Sequence, residues 1–226
     1  MSGKYIELLP AAHVRTLAAS DLALPLAELG GILPQVLVNG IQQGWAARAS
    51  VTKHHFDFER GRRERADRLA SIISQLASDG AAKLPSIHGV LLPCQRRVLT
   101  TVRGDRFTGS EGPTPPRPLN RTGLAVLRQM TQLVERNNAA RRPMQLVTDE
   151  LEFWMLLVRG FEEQGYIAAE VARPCVVDGA HIVGFDLRIR LPSIEIARIK
   201  VGRRPTATRP RATPAADVQV RRRRKT

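Results

Sequence analysis

The sequence predicts an α+β protein: a helical N-terminal half, C-terminal helices packed on a small antiparallel or mixed sheet, and a disordered basic C-terminal tail. Three observations lead there. Apolar residues recur at helical spacing between Pro34 and Ser78, β-like runs crowd between Tyr166 and Val201, and from Gly202 onward the composition turns basic and proline-rich. The chain has 226 residues, 43% of them apolar, enough to bury a core. The organisation expected is a mainly helical region with a short hairpin over 1–103, a Pro/Gly-rich connector over 104–120, a helix-plus-sheet region over 121–202, and an Arg-rich tail over 203–226.

The elements follow in order. Ser20 and Asp21 are cap-type residues before an apolar stretch that Pro25 limits. Gly30 and Gly31 break the chain, and Pro34 suits the first turn of a helix running to about Arg48, with Val38, Ile41 and Trp45 on one side. The uncharged stretch Leu29–Ala47 approaches the length of a membrane span. Pro34, Gln35, Asn39, Gln42 and Gln43 make it too polar for lipid, and the Gly40/Gly44 pair reads as a close approach between helices. A longer helix is expected from about Asp57 to Ser78, stopped at Gly80, with Ala66, Leu69, Ala70, Ile73, Leu76 and Ala77 in helical register. Ile87–Leu92 and Val98–Val102 read as a hairpin. The stretch from Gly104 to Asn120 carries three glycines and four prolines and is the best internal boundary.

Beyond it, Asn120 can cap a helix to about Asn138. Thr148 can cap another with Asp149 and Glu150 in its first turn, apolar nearly all round at Phe153–Val158 and ended by Gly165. That helix is the expected core of the C-terminal half. Three β-like runs complete the sheet: Tyr166–Ala172, His181–Leu191 and Ser193–Val201.

Charge carries the functional signal. Lys and Arg number 35 against 21 Asp and Glu, a net +14. Residues 203–226 hold nine of the basic residues (Arg203, Arg204, Arg209, Arg211, Arg221, Arg222, Arg223, Arg224 and Lys225) and one Asp, a net +8 that leaves +6 for the rest. Such an arm neutralises phosphates and releases counterions, giving affinity that does not depend on base sequence. Arginine adds bidentate phosphate contacts and stacking on bases. Arg60, Arg62 and Arg63 are a second candidate contact, interleaved with acids that can pair with them along a helix face.

Tyr5, Phe56, Phe58, Phe107 and Tyr166 do not form the pattern of sheet platforms, so contact with backbone and shape is expected rather than base readout. The expected function is therefore non-catalytic binding of nucleic acid, DNA or RNA, within a nucleoprotein assembly that includes other protein subunits. A protein–protein adaptor anchored by its basic tail is an alternative.

Two cysteines, Cys94 and Cys175, cannot build a disulfide framework or a zinc ribbon and are expected to be reduced. His13, His54, His55, His88 and His181 lack metal-ligand spacing, and no phosphate-binding glycine loop or nucleophile elbow is present. No cofactor and no membrane partner are expected, and the cytoplasm is the expected compartment.

One constellation points to chemistry. A helix bearing Glu150 and Glu152 precedes a strand, then a strand with Asp186 in GFDLRI, then one with Glu195 in SIEIARIK. This order resembles the core of the PD-(D/E)xK nuclease superfamily over about residues 148–201. The resemblance implies that Asp186 and Glu195 hold Mg²⁺, which lowers the pKa of an attacking water and neutralises phosphate charge. The superfamily's lysine position is Ala197 here, and Lys200 falls on the other face of a regular strand. A divergent metal-dependent nuclease is thus the enzymatic alternative, and the missing lysine favours a binding version of such a fold.

Overall fold

The structure, a computed structural model, describes residues 15–18, 24, 26–52, 56–84, 89–93, 97–112, 114–119, 152–178 and 181–199. It is organised around one large mixed sheet of eight strands: β1 (Arg15–Ala18), β2 (Ala82–Leu84), β3 (Gly89–Leu91), β4 (Arg97–Arg103), β5 (Glu152–Phe161), β6 (Tyr166–Asp178), β7 (His181–Arg190) and β8 (Ile194–Glu195). The order across the sheet is β1-β7-β6-β5-β4-β3-β2, and β8 pairs with β6. Two helices are described, α1 (Pro34–Ala49) and α2 (Asp57–Leu76).

This corrects the expected fold class. The sheet is large, and the segment read as the core helix of the C-terminal half is β5 in its middle. β5 pairs in parallel with β4 and antiparallel with β6. Every residue from Glu152 to Val158 is buried, on both faces. A strand covered on both sides has no polar face, so its sequence carries no period-2 alternation and reads like a buried helix. Gly165 does not end a helix. At φ 75° it closes the turn between β5 and β6, a conformation that favours glycine. The helix expected over 120–138 lies outside the described residues.

The N-terminal expectations for 34–48 and 57–78 hold as α1 and α2, and Gly80, at φ 93°, follows the 3-10 turn that ends α2. Pro34 occupies the first helical turn, where its missing N–H costs nothing. The GxxxG pair works as expected: a Cβ on Gly40 would lie 2.7 Å from Ile72, and one on Gly44 would lie 2.5 Å from the Glu64 carbonyl oxygen. Hydrogen at both positions lets α1 and α2 pack backbone to side chain. Facing α1, Glu64, Arg68, Ile72 and Leu76 recur every fourth residue on α2.

Leu37, Ile41, Trp45, Ile72 and Leu76 join Leu99, Trp154, Leu156, Val158, Val171 and Ile189 in the main core, which places the helix pair against one face of the sheet. The six-membered ring of Trp45 packs against Gly160 of β5, filling the place a Cβ would take. The opposite face has its own core of Val98, Phe153, Met155, Leu157, Ala172, Ile182 and Phe185.

The hairpin of β3 and β4 forms antiparallel as expected, and β6 and β7 realise the expected runs. β1 was not expected; it adds to β7 in parallel. The run Ser193–Val201 is shorter as a strand, β8 followed by a 3-10 turn at Ile196–Arg198. Strands from both sides of the 104–120 segment share the one sheet. That segment folds back on it: Gly104 donates its N–H to Val158, Leu119 to Arg103, and Gly109 to the Glu170 carboxylate. The strands before and after it, β4 and β5, are neighbours in that sheet.

No described helix is long and apolar enough to cross a membrane. Cys175 is unpaired, and burial pushes its thiol up to about 11, away from nucleophilic character.

Candidate nucleic-acid interface

The arginines of α2 divide by helix face. Arg68 points inward and is fully desolvated, donating to Thr101 Oγ1 at 2.6 Å and pairing with Glu64 one turn back. Burial lowers its pKa, and the Glu64 carboxylate opposes that shift. Arg65 is half-buried and reaches Thr100 of β4.

Arg60, Arg62 and Arg63, the arginines expected to meet nucleic acid, take other positions. Arg60 is exposed. Arg62 is 71% exposed and pairs with Glu59 at 2.9 Å, and Arg63 approaches the same carboxylate at 3.5 Å. The Arg62 hydrogen bond, above all, holds the Glu59 carboxyl below its usual range. One acid thus serves two arginines, and Arg60 extends the basic side of the turn. Just ahead of them the rings of Phe56 and Phe58 stand in solvent, a feature the sequence did not signal because exposure is not written in residue type. The tail residues Arg203, Arg204, Arg209, Arg211, Arg221, Arg222, Arg223, Arg224 and Lys225 lie outside the described residues, as do His54 and His55.

The carboxylates of the nuclease-like alternative are not brought together. Glu195 sits opposite Tyr166 on β6, whereas Asp186 is next to the Arg173–Leu187 pair, seven residues further along that strand. At ~3.3 Å per residue that is a separation of about 23 Å. β7 and β8 are not neighbours; they follow one another along the same side of β6.

Asp186 is also committed elsewhere. Pro174 has no N–H to give the ladder, the β6/β7 register shifts there, and Asp186 is left without a register partner. Its carboxylate accepts from Arg173 Nε and Nη2 at 2.8–3.1 Å. Glu195 is 57% exposed and pairs with Arg198 at 2.7 Å. Ala197 is exposed within the 3-10 turn, while Lys200 and Glu150 lie outside the described residues. Among the described residues no three His, Cys, Asp or Glu side chains gather closely enough to hold a metal ion.

Two ionic assemblies that sequence reasoning missed cross the sheet. On the helix-bearing face, Arg97, Glu152, Arg173 and Asp186 form a line over β4, β5, β6 and β7. Arg97 Nε and Arg173 Nη1 each lie 2.8 Å from Glu152, and Arg173 Nη2 lies 2.8 Å from Asp186. Arg173 also rests over the Trp154 ring at 5.7 Å. Burial pushes the Glu152 carboxyl up, but the hydrogen bonds from Arg173 and Arg97 together outweigh it and hold it below its ordinary value.

On the opposite face Glu170 and Arg188 are both buried, 2.8 Å apart, beneath the 104–120 segment. Glu170 also accepts the Gly109 N–H at 3.1 Å, and Arg188 points an N–H at the Ser110 carbonyl. Burial raises the Glu170 carboxyl above its ordinary value, with Arg188 and Gly109 pulling the other way. The signal was present in sequence as a charge between apolar residues: Glu170 in AAEVA and Arg188 between Leu187 and Ile189.

A shallow polar groove of about 530 Å³ runs between α1 and α2, lined by Asn39, Gln42, Gln43, Asp67, Ser71 and Gln75. Asn39 and Gln75 hydrogen-bond across it at 2.8 Å and tie the helices together.

No family model matches the chain, and the comparisons with curated proteins and with solved structures gave no match.

Proposed function

We propose that the protein binds nucleic acid without acting on it chemically, mainly through phosphate contacts, as a subunit or accessory factor of a nucleoprotein assembly. The observation that carries the reading is the charge distribution: a net +8 in residues 203–226 beside a net +6 in residues 1–202. Polyelectrolyte theory makes such an arm a general phosphate ligand. The exposed side of α2, with Arg60, Arg62 and Arg63, supplies a second basic surface. The ~23 Å between Asp186 and Glu195, at ~3.3 Å per residue, supports binding over metal-assisted cleavage.

The test is a binding titration at several salt concentrations with the full chain and with a chain lacking 203–226. Each phosphate neutralised contributes about −0.9 to the slope of log affinity against log salt for duplex DNA. Truncation should weaken binding and flatten that slope. An unchanged slope would remove the tail from the interface and with it the main support for this reading.

A further inference from the structure

Phe56 and Phe58 are 74% and 65% exposed, the most exposed large apolar side chains among the described residues. Their rings stack on one another, with centroids 5.6 Å apart and planes 9° from parallel. They contribute little to the core. The inward stripe of α2 begins later, at Glu64, and Phe56 precedes the helix at its N-cap. Two phenyl rings held in water cost free energy in proportion to their apolar area unless a ligand covers them.

Their surroundings indicate which ligand. Arg60, Arg62 and Arg63 follow within the next turns of the same helix, and residues 56–63 hold three arginines against Asp57 and Glu59, a net +1. Glu59 is already shared between Arg62 and Arg63, so it offers little repulsion to an anion. Flat π-faces beside guanidinium groups match a polymer of flat bases on a phosphate backbone.

We infer that Phe56 and Phe58 form a stacking platform for the bases of single-stranded nucleic acid, with Arg60, Arg62 and Arg63 holding the adjoining phosphates. This rests on the nucleic-acid reading above and deepens it. The basic tail attracts any phosphate backbone, whereas the platform selects strands whose bases are free to leave the stack. In a duplex those faces are already occupied by neighbouring bases. Selection of this kind is indifferent to base identity, because every base presents a π-face.

The experiment uses the full chain and fluorescence anisotropy with three labelled probes: an oligothymidine strand, an oligouridine strand and a DNA duplex. The wild type is compared with a Phe56→Ala, Phe58→Ala double variant and with Phe58→Trp. Losing a base–aromatic stack should weaken single-strand binding by roughly tenfold or more and duplex binding by less than about twofold. The two single strands report whether DNA and RNA are both taken. Phe58→Trp should keep single-strand affinity, and its added fluorescence should be quenched when a base stacks on the indole.

Equal losses for strand and duplex, or none, would overturn the platform while leaving phosphate binding intact. Absence of binding to all three probes by the wild type would overturn the nucleic-acid reading as well. A self-associated wild type that falls to monomer in the alanine variant would make the rings a protein contact and overturn the platform. An unquenched Phe58→Trp bound to a single strand would overturn it too, independently of how well the alanine variant folds.

Discussion

The two ionic assemblies lie on opposite faces of one sheet and solve the problem of charge in a core differently. The line from Arg97 to Asp186 alternates sign over four adjacent strands, and most of its members keep a fifth or more of their side chain in water: 28% for Arg97, 22% for Arg173 and 21% for Asp186. Glu152 alone is nearly covered, and it has a guanidinium on each oxygen. The Glu170–Arg188 pair has 0% and 3% exposure and depends on the 104–120 segment for its remaining partners. A partly wet line shares its desolvation cost with solvent. A dry pair bears all of that cost and recovers it only with both charges present. The difference teaches that pairing alone does not make a charge stabilising; the water left around it decides what its removal does.

The largest expected effect comes from breaking the dry pair. Arg188→Met leaves Glu170 buried without its counter-charge and should cost about 3–5 kcal/mol in urea unfolding. Adding Glu170→Leu to it should recover much of the loss, because two apolar side chains have nothing to desolvate. If the double variant were as unstable as the single, the pair would be specifying the position of the 104–120 segment as well as balancing charge.

Next comes the surface on which the wet line rests. Trp154 is fully buried under Arg173, and Trp154→Ala should cost about 3–5 kcal/mol through cavity formation. A near-neutral result would mean that the helix-side core is not centred on β5.

Glu152→Gln should cost less, about 1–3 kcal/mol, since the amide keeps one acceptor and loses charge-assisted bonds. Its clearer signature is in pH. The folded Glu152 carboxyl lies below its ordinary 4.5, so the unfolded chain takes up the proton first. The stability it contributes is present above 4.5 and disappears as pH falls through the lower folded value. Glu170, raised from 4.5 by burial, behaves oppositely: its contribution is present at low pH and is lost as pH rises through the raised value. Urea midpoints against pH should therefore show less acid sensitivity in Glu152→Gln and a smaller loss on raising pH in Glu170→Gln. Identical profiles for the two variants would end the contrast between the faces.

The smallest effect belongs to Glu111, 84% exposed on the rim beside Arg190. Glu111→Gln should leave the thermal midpoint unchanged, since solvent screens such a pair. A measurable drop would show that the rim helps hold the 104–120 segment over the dry pair.

Where one side of an element meets water, its type was legible in the sequence. α1 and α2 carry a polar side, and the period of that side identifies them. β6 is covered on both faces from Ile167 to Ala172 and β7 from Leu187 to Ile189, but the charges Glu170, Arg188 and Arg190 still mark an alternation there. β5 lacks even that. Phe153 to Val158 are buried on both faces, and the cap-like Thr148 with Asp149 and Glu150 tipped the reading towards a helix. β1, four residues long, has too short a pattern to register a period. At the candidate interface, the chemistry of Arg60, Arg62 and Arg63 was legible, but the inward turn of Arg65 and Arg68 was not. Nothing in an interleaved run of Arg and acid says which arginines a neighbouring strand will claim, until Thr100 and Thr101 of β4 are in place. The apparent Asp186–Glu195 pairing failed for a related reason. Spacing in sequence did not reveal that β7 and β8 lie end to end along β6.

The pairing of β1 with β7 sets a clock on the molecule's assembly. Arg15 lies opposite Leu187, so this edge of the sheet joins points 172 residues apart in the chain. A ribosome working at about 5–20 residues per second needs on the order of ten seconds or more to cover that interval. Throughout it, Arg15–Ala18 has been made but its partner has not. The two helices, close in sequence, can meet early, whereas this edge must wait for nearly the whole sheet. β1, the first strand among the described residues, is therefore among the last to find its place, and a chaperone or partner acting during synthesis would meet it before β7 does.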